Sequence, residues 1–108
     1  MKIAIIGSKG MTVPDLKKYL PPETTEIVLG GTKGIDTSAR EYALKHSIKL
    51  TEFLPDYEKY GQGAPLKRNI AIVEYADMAL AFWDGESQET KAVIDACNRM
   101  NIPIRVFV

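Results

Sequence analysis

The segment Gly30-Gly31-Thr32-Lys33-Gly34-Ile35-Asp36 combines the residue types from which a phosphate-binding turn is built. Its glycines allow positive φ angles and let a ligand approach the backbone with no Cβ in the way. An apolar run precedes the segment and a helical pattern follows it, so the glycines lie where a strand passes into a helix. The free N–H groups and the dipole of a helix N-terminus favour an anion such as phosphate. A tight turn without a ligand is the alternative.

Two further turns carry similar chemistry. Gly7-Ser8 ends the apolar run that begins at Lys2, and Trp83-Asp84-Gly85-Glu86-Ser87 ends a second run. In parallel sheets, ligands bind outside the carboxyl ends of the strands, near the point where the strand order reverses. With a strand order of 3-2-1-4-5, these two turns and the glycine segment would follow adjacent strands. The pattern therefore predicts one crevice for a ligand.

The elements that must position these turns alternate along the chain. Apolar runs predict strands over residues 2–6, 26–29, 48–54, 77–82 and 103–108. Helical spacing predicts helices over residues 13–20, 35–47 and 88–100, and another that Pro65 opens, with a polar loop over residues 56–64. This alternation predicts an α/β fold, a Rossmann-like three-layer sandwich whose five-stranded sheet is mainly parallel.

Spacing also predicts how the helices begin and what they bury. Thr12 is the expected N-cap of the first helix, with Pro14 in its first turn. The later helices are expected to bury one stripe each. The members of these stripes are Ile35, Ala39, Tyr42 and Ala43; Leu66, Ile70 and Val73; and Val93, Ala96, Cys97 and Met100.

Composition sets limits on the class of protein. The 108 residues fit a single domain, and 45% hydrophobic residues with 26% charged residues are typical of a globular chain. The formal net charge is zero, which argues against nucleic-acid binding. The single cysteine, Cys97, excludes an internal disulfide and offers no metal framework. No signal-peptide or membrane-span pattern is present, so a cytoplasmic protein is expected.

Taken together, these segments resemble the SLOG superfamily of Rossmann-like domains related to the LOG proteins, and most of all its YspA-like, cpYpsA-related branch. The residues that carry the resemblance are Ile5-Ile6-Gly7-Ser8, the glycine segment through Thr37, Arg68-Asn69, and Ala76-Asp77 leading into Ala81 through Ser87. The resemblance implies a single nucleotide-binding domain over residues 1–108. It also implies a nucleotide or nucleotide-derived ligand, and some members hydrolyse a nucleoside monophosphate to the base and ribose 5-phosphate.

The chain departs from these relatives after the Asp-Gly turn. Relatives have glycine where this chain has Glu89, and a carboxylate there would repel a phosphate. Enzymatic LOG proteins place a glutamate at the position of Val93. The missing carboxylate argues against hydrolase activity and leaves only Arg68 and Glu89 as weak catalytic candidates.

The predicted ligand contacts come from all of these turns. They are Gly7, Ser8, Gly30, Gly31, Thr32, Lys33, Gly34, Asp36, Arg68, Asn69, Trp83, Asp84, Gly85, Ser87 and Thr90.

Several of these residues have an equally simple structural interpretation. Lys33 is otherwise a solvated turn lysine, and Asp36 either complements the dipole of its helix or bonds a ribose hydroxyl. Trp83 either stacks on a base or packs against a helix. Ser87 is placed to be an N-cap, which is compatible with a ligand role.

Three functions follow from these patterns. Nucleotide-derivative binding, with sensing as the expected role, is the leading hypothesis; a phosphoribohydrolase using Arg68 and a DprA-like nucleic-acid-binding protein are the alternatives. A homodimer is expected, with no membrane partner. Tyr57 and Tyr60 are candidates for a pocket wall or a subunit contact, and His46 is expected to interact with a helix C-terminus.

Overall fold

A five-stranded parallel sheet forms the centre of the protein. The computed structural model describes residues 1–13, 15–30 and 34–107. The strands are β1 (Lys2–Gly7), β2 (Glu26–Leu29), β3 (Lys49–Glu52), β4 (Met78–Phe82) and β5 (Ile104–Phe107). They are ordered β3-β2-β1-β4-β5, and each neighbouring pair is parallel. The predicted Rossmann-like order 3-2-1-4-5 is confirmed, with its reversal point between β1 and β4.

Helices cover both faces of this sheet. They are α1 (Ile35–Lys45), α2 (Tyr57–Tyr60), α3 (Ala64–Tyr75) and α4 (Gln88–Met100). The short α2 and a 3-10 turn at Gly61–Gly63 lie within the segment predicted as a loop. Asp56 is the N-cap of α2, and its side chain accepts a hydrogen bond from the backbone N–H of Lys59 at 3.1 Å.

Successive side chains of each strand point to opposite faces of the sheet, so the sheet separates two hydrophobic clusters. In β1, Ile3 and Ile5 face the cluster that includes α1, whereas Ala4 and Ile6 face the cluster that includes α3 and α4. Strands buried on both faces have continuous apolar sequences, which is the pattern seen in β1. The result is a three-layer α/β arrangement.

The predicted helix stripes are confirmed in part. Ile35, Ala39 and Ala43 are buried in α1, and Val93, Ala96 and Cys97 are buried in α4. Two predicted core residues are exposed instead, Leu66 at 36% and Met100 at 41%. Leu66 lies in the first turn of α3 and Met100 is the last residue of α4, and terminal turns extend past the sheet.

The first crossover contradicts the predicted helix over residues 13–20. Among the described residues of this segment, the chain forms a 3-10 turn at Leu16–Lys18, which Asp15 precedes. Thr12 is exposed and caps no helix, while Leu16 is buried. A proline disfavours the helical conformation of the residue before it, and a segment this short cannot offset the cost of helix nucleation. The predicted role of Pro14 lies outside the described residues. The described part of this crossover therefore covers its face of the sheet with loop and a 3-10 turn instead of a helix.

Helix α1 ends two residues earlier than predicted. Ser47 has a φ of 54°, in the left-handed region, and Ile48 donates a backbone hydrogen bond to the carbonyl of Ala43 at 2.9 Å. His46 is the C-cap residue, the position expected for it, and its ring lies 4.2 Å from that of Tyr42. Within the described part of the chain, none of the helices is both long and apolar enough to cross a membrane.

Candidate ligand site at the carboxyl ends of the strands

Buried hydroxyl groups join the ends of β1 and β4 at the reversal point. Ser8, 1% exposed, follows β1, and its Oγ lies 3.2 Å from Oγ1 of Thr90 in α4. The same Ser8 oxygen accepts a hydrogen bond from the backbone N–H of Asp84 at 3.2 Å. The turn after β1 and the turn before α4 therefore lie together, as predicted, and a hydrogen bond between residues 82 positions apart joins them.

Ser87 continues this set of hydroxyls at the start of α4. It is the N-cap, and its Oγ accepts hydrogen bonds from the backbone N–H of Thr90 at 3.4 Å and from the Thr90 hydroxyl at 3.2 Å. The capping role predicted for Ser87 is confirmed. We call Ser8, Ser87 and Thr90 the hydroxyl cluster.

The turn before α4 is held by its own side chains. The Asp84 carboxylate accepts hydrogen bonds from the backbone N–H groups of Ser87 at 2.8 Å and Glu86 at 2.9 Å, and these bonds lower its pKa. Gly85 has a φ of +83°, which explains the glycine. Trp83 donates its indole N–H to the Ser87 carbonyl at 3.0 Å, and this hydrogen bond stabilises the turn.

Arg68 and Asn69 support the first glycine of the glycine segment. The Arg68 Nη1 donates to the carbonyl of Gly30 at 2.5 Å, and its Nε donates to Oδ1 of Asn69 at 3.0 Å. Since α3 begins at Ala64, both residues lie in its second turn. A Cβ on Gly30 would lie 2.7 Å from Arg68 Nε and 2.8 Å from Ile72 Cδ1, so both side chains would have to shift.

Packing also explains the other described glycines of the two turns. A Cβ on Gly7 would lie 2.5 Å from Cγ2 of Ile35. Gly34 has a φ of +96°, and a Cβ there would meet the carbonyl oxygen of Met11. The glycine segment and the loop after β1 are therefore packed together. The predicted contacts Gly31, Thr32 and Lys33 lie outside the described residues.

The predicted site residues thus form two hydrogen-bonded sets. Ser8, Asp84, Ser87 and Thr90 make one, and Gly30, Arg68 and Asn69 make the other. Gly34 lies against the backbone of Met11 in the loop after β1, and Gly7, the last residue of β1, lies against Ile35, the first residue of α1.

The remaining predicted residues surround these sets. Asp36 is buried in the first turn of α1, as its position in the sequence indicated. Glu89 is exposed in the first turn of α4, whereas Val93 is fully buried in the core. Tyr60, one of two candidates for a pocket wall, lines a hollow of about 350 Å³ together with Arg68. Tyr57 is 61% exposed.

A polar cluster at the opposite end of the sheet was not predicted. Glu26 begins β2 and is 7% exposed; its Oε2 accepts hydrogen bonds from Thr51 and Tyr75, each at 2.7 Å. The Lys49 ammonium lies 3.6 Å from Oε1. The hydrogen bonds from Thr51 and Tyr75 lower the pKa of Glu26, and Lys49 adds to this effect. The only sequence signal was a charged residue at the start of an apolar run.

Comparison of the chain with protein-family models, with curated proteins and with solved structures finds no match.

Proposed function

We propose that the protein binds a nucleotide or nucleotide derivative, with a phosphate held at the N-terminus of α4 beside the hydroxyl cluster. The observation that carries the proposal is the buried contact between Ser8 and Thr90 at the point where the strand order reverses. Ligands of open parallel sheets bind at this point. The first N–H groups of a helix have no partner within the helix, and they attract anions.

The directions of the hydrogen bonds support donation to an anion. Ser8 accepts from the N–H of Asp84, and the Thr90 hydroxyl donates to Ser87. With the Thr90 hydrogen directed at Ser87, the Ser8 hydrogen is directed at Thr90, because each hydroxyl has one hydrogen. The hydrogen of the Ser87 hydroxyl is not needed within this cluster. Ser87, which is half-buried, can therefore donate to a phosphate oxygen.

Two further residues, Arg68 and Glu89, should affect the affinity for the ligand. The Arg68 guanidinium has five N–H donors, and described residues accept two of these through Gly30 and Asn69, which leaves others for a ligand beside the glycine segment. Glu89 adds a negative charge in the same helical turn as the proposed phosphate. We expect it to weaken phosphate binding without preventing it, since its side chain is exposed.

The resemblance to the SLOG superfamily supports the same ligand class. The residues shared with that pattern include Ser8, Arg68 and Asn69, and these lie at the carboxyl ends of the strands or on the helix beside them. We therefore propose a LOG-like binding domain. The hydrolase alternative gains no support, because the buried Val93 occupies the position of the usual catalytic glutamate.

Titration calorimetry with AMP, ADP-ribose and NAD tests the proposal. We expect at least one of them to bind, and a ligand at about 100 times its dissociation constant should raise the stability by about 2.7 kcal/mol in a thermal-shift assay. Ser87→Ala removes the hydroxyl whose hydrogen this cluster leaves for the phosphate, so affinity should fall about tenfold. Ser87→Thr restores the hydroxyl and is the matched control.

Two results would contradict the proposal. One is the absence of binding by all three ligands at millimolar concentration. The other is equal affinity in the wild type and in Ser87→Ala, provided that the variant is folded by circular dichroism.

We also propose that the protein forms a homodimer. The segment from the end of β3 to the start of α3 carries four large apolar or aromatic side chains that are between 36% and 72% exposed. They are Leu54, Tyr57, Tyr60 and Leu66. Exposed apolar and aromatic side chains of this kind are enriched at subunit interfaces. Sedimentation velocity should give the dimer mass, and Tyr57→Glu should shift it towards the monomer. A monomer at all concentrations would overturn this part.

A further inference from the structure

The thin first crossover leaves a hollow on one face of the sheet. Among the described residues of this crossover, the chain forms a 3-10 turn at Leu16–Lys18, and Tyr19 after it packs against Phe82 and Phe107 at the ends of β4 and β5. The hollow has a volume of about 320 Å³ and is lined by Met11, Asp15, Lys18, Tyr19, Phe82 and Phe107, among others. This volume lies within the range of small-molecule pockets, which is about 300–1,000 Å³.

Three aromatic rings form the inner wall of the hollow. The Tyr19 ring centre lies 5.3 Å from that of Phe82 and 4.8 Å from that of Phe107, both at steep angles. Phe82 and Phe107 are stacked with centres 5.2 Å apart. Phe82 is buried, but Tyr19 and Phe107 are only half-buried. Parts of two aromatic rings are therefore exposed to the hollow.

The hollow adjoins the hydroxyl cluster through the backbone. The backbone N–H of Ser8 donates to the carbonyl of Phe82 at 3.0 Å, and the Ser8 carbonyl accepts from the backbone N–H of Met11 at 3.1 Å. Both Phe82 and Met11 line the hollow. The hydroxyl cluster and the hollow therefore share the backbone of Ser8 at the carboxyl ends of β1 and β4, and the aromatic rings of the hollow lie on the α1 face of the sheet.

We propose that this hollow binds the base of the nucleotide whose phosphate lies at α4, an inference that rests on the proposed function. Aromatic side chains stack on the faces of bases, whatever the base. At the rim, the Lys18 ammonium is a donor and the Asp15 carboxylate an acceptor for the polar edge of a base. Sugar phosphates without a base cannot use this surface.

Calorimetry with AMP and ribose 5-phosphate tests the inference. AMP should bind about tenfold more tightly than ribose 5-phosphate, as one stacked base predicts. Tyr19→Leu should remove this advantage and leave ribose 5-phosphate binding unchanged, whereas Tyr19→Phe should keep it. Lys18→Ala should weaken AMP binding, and Lys17→Ala, an exposed neighbour that does not line the hollow, should not.

A second measurement keeps the two proposals separate. Adenosine has no phosphate, and we expect it to shift the ring NMR signals of Tyr19 and Phe107. Equal affinities for AMP and ribose 5-phosphate, with no shift from adenosine, would overturn the base site and leave the phosphate site in place. Ring shifts from adenosine without any binding of ribose 5-phosphate would support the hollow and contradict the proposed phosphate site.

Discussion

Two buried polar clusters lie at opposite ends of the same sheet. At the amino ends of the strands, the Glu26 carboxylate accepts hydrogen bonds from Thr51 and Tyr75. At the carboxyl ends, the Ser8 hydroxyl contacts Thr90 and the turn before α4. Each cluster joins strands or helices that are distant in sequence.

The two clusters differ in charge and in whether they have hydrogen-bond donors available for a ligand. The Glu26 carboxylate is ionised and is surrounded by donors, with Lys49 nearby. The hydroxyl cluster is neutral, and it lies at a helix N-terminus whose N–H groups lack helical partners. A closed ionic cluster contributes stability, whereas an open neutral one can contribute donors to a ligand. The following predictions test this difference, beginning with the largest effect.

Glu26→Ala should have the largest effect on stability and none on AMP binding. It removes a buried carboxylate and leaves two hydroxyl donors unpaired, so the free energy of unfolding should fall by about 2 to 3 kcal/mol. Urea denaturation measures this change. Glu52→Ala is the control, because Glu52 pairs with Arg40 at the surface and should cost less than about 1 kcal/mol. An equal loss in both variants would contradict the structural role of Glu26.

The stability supplied by Glu26 should depend on pH. The folded state lowers the pKa of this carboxyl from its ordinary 4.5, so the unfolded state takes up the proton first as the pH falls. The stabilisation is therefore complete above the ordinary value and is lost as the pH falls through the folded one. In urea titrations, the difference in the free energy of unfolding between the wild type and Glu26→Gln should become smaller as the pH falls. A constant difference down to about pH 3 would contradict this assignment.

Substitutions of Ser87 should separate capping from ligand binding. Ser87→Ala should lower the free energy of unfolding by about 1 kcal/mol through loss of the N-cap. Ser87→Asp keeps a capping oxygen and should retain the stability, but its negative charge should abolish AMP binding. Thermal denaturation and calorimetry measure the two effects. Unchanged AMP affinity in Ser87→Asp would place the phosphate elsewhere.

Glu89→Gln should have the smallest effect, a rise of about threefold in AMP affinity. The variant removes one exposed negative charge from the first turn of α4, where such charges contribute about 0.3–1 kcal/mol. Glu86→Gln removes a charge from the preceding turn and is the control. Lower AMP affinity in Glu89→Gln would show that the carboxylate assists binding.

Much of the fold could be predicted from the sequence because its signals are local. The continuous apolar run of β1 and the stripe Ile35, Ala39 and Ala43 specify buried elements with little ambiguity. The helix predicted over residues 13–20 was wrong because a short segment between prolines lacks the length to form one. Leu66 and Met100 are exposed because spacing alone does not locate the edge of the sheet.

The site was predictable in outline only. Parallel topology placed Ser8 near the turn before α4, but the pairing with Thr90 depends on side-chain positions across 82 residues. The Glu26 cluster was missed because Thr51 and Tyr75 come from distant segments. The aromatic hollow was missed because it results from the short first crossover, which leaves Tyr19 above Phe82.

An NMR titration of the labelled protein with AMP tests most directly whether the two ends of the sheet differ as proposed. We expect the backbone amide signals of Ser8, Asp84 and Thr90 to shift, with those of Glu26 and Thr51 unchanged. Shifts concentrated around Glu26, or none at millimolar AMP, would contradict a phosphate site at the carboxyl ends of the strands.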